Sequence, residues 1–173
     1  TGGTTNINIG LFQGLIWDAA DSKNRINLDV SYFNPLLYFN TLQYGLKNNK
    51  NILIGSTVNV RVLNSLSLYG QFMLDDIHGY KNSLHNKSGY QAGIKYFNPN
   101  ITGNLRFQLE YNRVRPYSYA ATNPSQSYTH YNQALAHPLG ANFSEVIGIL
   151  NYRIGDLFTE IKMNYAVVGK DFS

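Results

Sequence analysis

The sequence is poor in several residue types, and each scarcity excludes a class of protein. There is no cysteine among the 173 residues, which excludes both a disulfide framework and a thiolate metal site. No apolar run approaches the roughly 18 residues that a transmembrane helix needs. Charged residues make up only 14%, and the net charge of +4 is not gathered into a Lys/Arg cluster. Nucleic acid is therefore not an expected partner.

Motifs of catalysis and metal binding are also missing. The sequence contains no Gly-x-Ser-x-Gly, no His-Glu-x-x-His and no phosphate-binding glycine loop. His130 and His137 lie seven apart, a spacing that matches no recognised metal-ligand motif. The pair Asp75-Asp76 lacks the Gly and Glu of a calcium-binding loop. We therefore expect a non-enzymatic protein with no metal and no cofactor.

Aromatic residues and glycine are plentiful, with 14 Tyr, 9 Phe and 15 Gly, and many of them fall in alternating segments. In residues 103–113 and 157–168, apolar side chains alternate with amides and full charges. A period of two over about ten residues predicts a β-strand with one apolar and one polar face. A tilted strand of about 9–11 residues crosses a bilayer. The pattern is typical of an outer-membrane β-barrel, which has lipid outside and a polar lumen inside.

Eight segments show this alternation and are the predicted strands: 6–17, 27–33, 51–63, 66–77, 88–97, 103–113, 144–154 and 157–168. Tight turns are predicted at Asn64-Ser65 and Gly155-Asp156, and a short one at residues 98–100. The remaining links are longer: 34–50, 78–87 and 114–143. Because short and long connections alternate, the short turns are expected at one end of the strands and the long links at the other. The alternation places the link 18–26 at the short-turn end, although this link is longer than the other connections expected there.

Aromatic residues of the apolar faces are predicted at two levels, one near each end of the strands. They are predicted near the long-link end at Tyr32, Tyr90, Tyr111 and Tyr165, and near the short-turn end at Tyr96 and Tyr152. Outer-membrane barrels carry two aromatic girdles, short periplasmic turns and long external loops. We predict an all-β fold, a transmembrane antiparallel β-barrel with about eight strands in this chain. The alternative is a soluble β-sandwich, whose strands also have one apolar and one polar face.

Charged side chains on the predicted polar faces would point into the lumen of a barrel. These lumen charges are Arg61, Arg106, Glu110, Arg153, Glu160 and Lys162. Paired with one another, they would fill the interior of a small or plugged barrel. An unpaired excess of cations would instead favour anions in a pore.

The link 114–143 has about thirty residues without a strand pattern, which is rarely a plain linker in a compact domain. It is rich in aromatic rings, amides, Arg and His, the side chains that stack on sugars and bind their hydroxyls and carboxylates. The candidate glycan-binding residues are Arg115, Tyr117, Tyr128, His130, Asn132 and His137. The alternative is that this external loop folds inward and plugs the lumen. The two interpretations are compatible if the plug forms the floor of the site.

Four strings resemble a known family: Asn51-Ile-Leu-Ile-Gly55, Leu68-Tyr-Gly-Gln-Phe-Met-Leu-Asp-Asp76, Tyr32-Phe-Asn-Pro35, and Tyr128-Thr-His-Tyr-Asn-Gln-Ala-Leu-Ala-His-Pro-Leu-Gly-Ala-Asn-Phe143 with Glu145. Together they are similar to the capsule-assembly Wzi family, in the branch found in Bacteroidota that includes the gliding-motility protein RemB. The resemblance covers residues 28–169. It implies an outer-membrane barrel of about eighteen strands and, from its best-known member, binding of capsular polysaccharide. The gliding-motility branch implies a role in surface motility.

About eight strands are fewer than half of such a barrel, and the chain starts Thr-Gly-Gly without an initiator Met. We therefore expect a single domain, 1–173, that is an internal part of a larger barrel; the rival expectation is a complete eight-stranded barrel. The expected function is attachment of capsule or surface polysaccharide, or gliding-associated surface assembly, in the bacterial outer membrane. The alternatives are a structural subunit of an outer-membrane secretion or motility complex and a small-solute or anion pore. Lipid, surface polysaccharide and other outer-membrane proteins are the expected partners.

Overall fold

A computed structural model describes residues 5–16, 51–75, 87–101, 103–116, 118–119, 129–130, 133–134 and 137–169. The described elements are all β-strands. In chain order they are β1 (Asn6–Ile16), β2 (Asn51–Leu63), β3 (Leu66–Asp75), β4 (Ser88–Ile101), β5 (Gly103–Val114), β6 (Thr129–His130), β7 (Gln133–Ala134), β8 (Phe143–Ile154) and β9 (Leu157–Val168).

Seven strands form one antiparallel sheet in the order β1-β2-β3-β4-β5-β8-β9, and β6 and β7 form a separate two-stranded hairpin. The prediction of an all-β antiparallel fold is confirmed. The sheet is open, because β1 and β9 each pair with one neighbour among the described strands. In this part of the chain there is no helix with the length and apolar character that a membrane span requires.

The alternating pattern predicted seven of these strands to within a few residues. The turn predicted at residues 98–100 is wrong, because β4 continues to Ile101 and pairs there with Gly103. The extra residues are accommodated by a register shift between Asn98 and Ile101, which is how a bulge lets a strand run past a break in its ladder. The link 114–143, predicted to have no strand, contains the short β6–β7 hairpin.

The first link runs differently from the prediction. β1 pairs directly with β2, from Asn6 opposite Arg61 to Ile16 opposite Asn51. The chain therefore leaves β1 at the end of the sheet where the long links lie. The link 18–26, predicted at the short-turn end, and the predicted strand 27–33 lie outside the described residues.

One face of the sheet is apolar, and its side chains are exposed. It carries large exposed hydrophobic residues on every strand, from Ile9 (73% exposed) on β1 to Tyr165 (70% exposed) on β9. The only charged residue that the register places on this face within the strands is Arg113, at the long-link end. Its rings sort into two levels: Phe72, Tyr90, Tyr111 and Tyr165 toward the long links, and Tyr96, Phe107 and Tyr152 toward the short turns. The Tyr90 and Tyr111 rings lie 5.9 Å apart.

The opposite face is polar, and the strand register arranges its side chains in rows across the sheet. Four of these rows are named here from the long-link end. The apolar row is Phe12, Gly55, Met73, Gly89, Val114, Phe143 and Val168. The amide row is Gly10, Thr57, Gln71, Gln91, Asn112, Glu145 and Ala166. The tyrosine row is Asn8, Asn59, Tyr69, Gly93, Glu110, Ile147 and Asn164. The cationic row is Asn6, Arg61, Ser67, Lys95, Gln108, Ile149 and Lys162.

Candidate functional site

Two segments of the link between β5 and β8 fold back over the apolar row of the polar face. They are Arg115 with Ser118 and Tyr119 on one side, and residues 137–142 on the other. The Arg115 amide donates to the Ser88 carbonyl at 2.9 Å, and the Asn142 amide donates to the Arg115 carbonyl at 3.3 Å. These backbone bonds fix both segments to the ends of the strands. We call the two segments together the cap.

The cap closes a small apolar core. Its buried members are Leu53, Met73, Val114, Tyr119 and Phe143, with Phe12, Leu139 and Ala141 packed against them. Apolar residues of the strand ends thus meet apolar residues of the cap, whereas the rows below stay polar. The core explains why the link folds onto this face of the sheet: it is the place where the polar face offers apolar surface to bury.

A buried carboxylate holds the cap at Tyr119. Asp75 is 1% exposed, and its Oδ2 accepts a hydrogen bond from the Tyr119 amide. Tyr119 has a φ of 71°, a left-handed conformation that is uncommon for a residue with a side chain. Its hydroxyl donates to the Met73 sulfur at 3.3 Å. Burial raises the pKa of the Tyr119 hydroxyl to about 12, and the nearby negative charge of Asp75 adds to the shift.

His137 joins the cap to the amide row. Its ring stacks on Phe143 with the centroids 4.3 Å apart. Its Nδ1 accepts a hydrogen bond from the Leu139 amide at 3.2 Å. This arrangement places a proton on Nε2, which lies 3.2 Å from Oε2 of Glu145 and donates to it.

Glu145 is the centre of the hydrogen bonds in the amide row. It is 4% exposed, and besides His137 it accepts from Asn112 Nδ2 at 3.2 Å and from Asn164 Nδ2 at 2.7 Å. Three donors around one buried carboxylate offset the cost of removing it from water. The three donors come from the cap, β5 and β9, so this side chain ties the loop to two strands.

A second carboxylate, Glu110, accepts a hydrogen bond from Tyr69, whose ring passes over a glycine on the strand between them. Tyr69, Gly93 and Glu110 are consecutive in the tyrosine row, on β3, β4 and β5. A Cβ on Gly93 would overlap the Tyr69 ring, so the missing side chain lets the ring lie flat across β4. The Tyr69 hydroxyl then reaches Oε2 of Glu110 at 2.5 Å. Phe12 lies over Gly55 in the same way, one strand pair further along the sheet.

Amides complete the network between the two carboxylates. Gln108 Nε2 donates to the Tyr69 hydroxyl at 3.0 Å, and Asn112 Nδ2 donates to Oε1 of Glu110 at 2.9 Å. Because Asn112 also donates to Glu145, one amide group bridges the two acids. Within the part of the chain that the structure describes, neither carboxylate forms an ion pair with a Lys or Arg.

Two clefts open on the polar face and share Gln71 and Gln91 in their walls. The first, of about 220 Å³, lies beneath the cap and is lined also by Tyr119, His137 and Phe143. The second, of about 400 Å³, lies over β1–β4. Its polar lining residues are Asn8, Thr57, Asn59, Tyr69, Gln71, Gln91 and Lys95. The lining offers amide and hydroxyl groups that both donate and accept hydrogen bonds.

Of the six candidate glycan-binding residues, the structure describes the side chains of two. Arg115 and His137 both belong to the cap, in segments joined by the bond from the Asn142 amide to the Arg115 carbonyl. The first cleft is lined by His137. Tyr117, Tyr128 and Asn132 lie outside the described residues. For His130 only the backbone in β6 is described.

The six predicted lumen charges all lie on the polar face, but they are not arranged as pairs. Glu110 is bound by Tyr69 and Asn112, Arg106 lies 5.8 Å from the Phe97 ring, and Arg153 Nε donates to the Gly155 carbonyl at 3.3 Å. Among the residues described, Arg61, Arg106, Glu110, Arg153, Glu160 and Lys162 form no ion pair with one another.

Most residues of the site could not be identified from the sequence pattern. Tyr69, Asn112, Gln71 and Gln91 were not among the predicted site residues, although each lies at a polar position of a correctly predicted strand. The signal was present in the alternation, which assigns each of them to the polar face. What it lacked was the register between strands, which brings Tyr69 and Glu110 within reach although 41 residues separate them.

The comparisons with known proteins add no relative. No family model matches the chain, no curated protein matches it, and no solved structure matches it. In the described ranges there is no group of three or more His, Asp or Glu side chains that could hold a metal ion.

Proposed function

We propose that the sheet is part of the wall of an outer-membrane β-barrel, with its apolar face toward lipid and its polar face toward the lumen. The observation that carries the proposal is the exposed apolar face, which runs across all seven strands. Soluble monomers rarely leave a continuous apolar surface of this kind open. The two levels of rings on the same face are those expected where a barrel meets the two bilayer interfaces.

The strand lengths and connections support the same proposal. The seven sheet strands have between 10 and 14 residues, and a tilted strand needs about 9–11 residues to cross a bilayer. All short turns lie at one end and all long links at the other, as periplasmic turns and external loops do. With this orientation the cap lies at the outer end of the lumen.

We further propose that the protein is non-enzymatic and attaches surface polysaccharide, in a capsule or in gliding-associated surface assembly. The polar face supports this, because the two described clefts, which share Gln71 and Gln91, are lined by amides, hydroxyls and aromatic rings. Such groups hydrogen-bond sugar hydroxyls and stack on the C–H faces of the rings. The resemblance to the Wzi family points to the same class of ligand.

The membrane part of the proposal is tested on two neighbouring residues of β8. Leu150 lies on the apolar face and Ile149 on the polar face, and the chain has no native cysteine. Single nitroxide labels on Leu150→Cys and Ile149→Cys are introduced into the protein in lipid bilayers. We expect oxygen, which concentrates in lipid, to relax the Leu150 label more strongly, and a water-soluble nickel chelate to relax the Ile149 label more strongly. Equal exposure of both labels to the chelate would contradict a lipid-facing wall.

The ligand part is tested with the unlabelled protein in the same bilayers, using binding of surface polysaccharide purified from the source cells. Saturable binding is expected. Absence of binding combined with co-purification of other outer-membrane proteins would favour a structural subunit of a larger complex. Absence of binding combined with steady conductance in planar bilayers would favour a pore.

A further inference from the structure

Within the strands of the described sheet, charge on the polar face is separated along the strands. The acids Asp75, Glu110 and Glu145 lie toward the long links, and each accepts at least one hydrogen bond. The strand cations of this face lie toward the short turns: Arg61, Lys95 and Lys162 in the cationic row, with Arg106 and Arg153 beyond it. Lys87 and Arg115, which lie outside the strands, are at the long-link end. The acids at the short-turn end are Glu160 on β9 and Asp156 in the last turn.

One of these cations, Lys95, lines the larger cleft, and a second, Arg61, lies two residues beyond the lining residue Asn59 on β2. The Lys95 Nζ lies 4.6 Å from the centre of the Tyr69 ring. Arg61 lies in the same row two strands away, roughly 10 Å across the sheet at the usual strand spacing. Both side chains are exposed, and neither forms an ion pair with a carboxylate in the described part of the chain.

The cleft above Lys95 offers a different chemistry. The side chains of Asn59, Gln71 and Gln91 provide amide groups, and Thr57 provides a hydroxyl. A ligand that occupies the whole cleft therefore needs hydroxyl groups over most of its surface and negative charge at the end toward the short turns. A neutral sugar would satisfy the amides but would offer no carboxylate to either cation.

We propose that this cleft binds the anionic sugar residues of an acidic polysaccharide. The amides and Thr57 bind sugar hydroxyls, and Lys95 and Arg61 bind the carboxylates. This inference rests on the proposed polysaccharide function and assigns the site to the wall of the sheet, separate from the link residues that the sequence indicated. Because the cations are exposed, binding weakens as salt screens them.

The test compares two forms of one polymer on the full protein in detergent micelles. Polygalacturonate carries a carboxylate on every sugar, and its fully methyl-esterified form has the same backbone without charge. We expect the charged form to bind more tightly by about tenfold or more at low salt. We expect Lys95→Gln and Arg61→Gln each to reduce that preference by about tenfold.

The matched control is Lys162→Gln, which removes a cation from the same row and the same face but on β9, away from the cleft. It should change binding by less than about twofold. Equal binding of both polymer forms, unaffected by Lys95→Gln, would overturn the charged site while leaving polysaccharide attachment intact. Failure of both forms and of the purified surface polysaccharide to bind would overturn the proposed function as well. An equal loss of binding in Lys162→Gln would show that the cations act through general electrostatic attraction. It would overturn the assignment of the binding site to the cleft.

Discussion

At the scale of the residue, Gly93 shows how a missing side chain builds the polar face. The Tyr69 ring occupies the space over Gly93 and so reaches Glu110 on the next strand but one. In Gly93→Ala the new methyl group would displace the ring and break its bond to Glu110. We expect a loss of about 1–3 kcal/mol in the free energy of unfolding, because the half-buried carboxylate of Glu110 loses a donor. Urea unfolding in detergent micelles measures it.

Gly148→Ala is the control for this prediction. Gly148 is also a strand glycine, but it lies on the apolar face, where an added Cβ meets open space in the described structure. It should be neutral or slightly stabilising, because alanine restricts the unfolded chain more than glycine does. If both variants lose the same stability, the ring over Gly93 has no special role.

Glu145 allows a second residue-scale prediction, since all three of its described partners are donors. In Glu145→Gln one carboxylate oxygen becomes an NH₂ group, which would face the donors of His137, Asn112 or Asn164. We expect a destabilisation of about 1–3 kcal/mol. Glu160→Gln, which changes an exposed glutamate on β9, should cost less than about 0.5 kcal/mol. Thermal unfolding of the two variants measures both losses of stability and so compares the buried carboxylate of Glu145 with the exposed carboxylate of Glu160.

The hydroxyl of Tyr119, in the cap, should make the free energy of unfolding depend on pH in the alkaline range. Its pKa in the folded protein is about 12, above the ordinary value of 10.0, so the folded state holds the proton more tightly. This contribution to stability is complete below pH 10 and is lost as the pH rises toward 12. The free energy of unfolding of Tyr119→Phe should therefore fall less between pH 9 and 11.5 than that of the unchanged protein. Parallel pH dependences would indicate that the Tyr119 hydroxyl titrates as if it were exposed.

At the scale of the element, the strands were predictable and their partners were not. Periodicity gave the bounds of β2 and β9 because apolar and polar side chains alternate over most of each strand, and a short turn marks one end of each. It misplaced the end of β4, since Pro99 looks like a turn residue and the strand runs past it with a register shift. The pairing of β1 with β2 could not be predicted, because it depends on where the chain returns after 34 residues (17–50).

β9 provides the prediction at this scale. It pairs with β8 on one side, and all twelve of its side chains are exposed. In the closed barrel that we propose, its outer edge pairs with another strand, so every β9 amide should exchange with deuterium as slowly as those of β4, which is paired on both sides. Rapid exchange at alternate β9 residues in bilayers would show that this edge stays open to water.

At the scale of the whole molecule, the two faces of the sheet have different roles. The apolar face is left for lipid in our proposal. In the described part of the chain, the polar face carries the Glu110 and Glu145 hydrogen-bond networks and the two clefts. We expect the protein from the outer-membrane fraction to migrate faster on electrophoresis unheated than boiled, because barrel sheets resist detergent until heated. A single migration rate and recovery in the soluble fraction would instead favour a β-sandwich.

The strand count carries a consequence for closure. Each of the six pairings in the main sheet is antiparallel, so direction reverses six times from one edge to the other. β1 and β9 consequently run in the same direction and cannot pair with each other in an antiparallel ladder. A wall that closes with antiparallel pairs throughout needs an odd number of strands in addition to these seven, and a single extra strand is the smallest number that satisfies this parity.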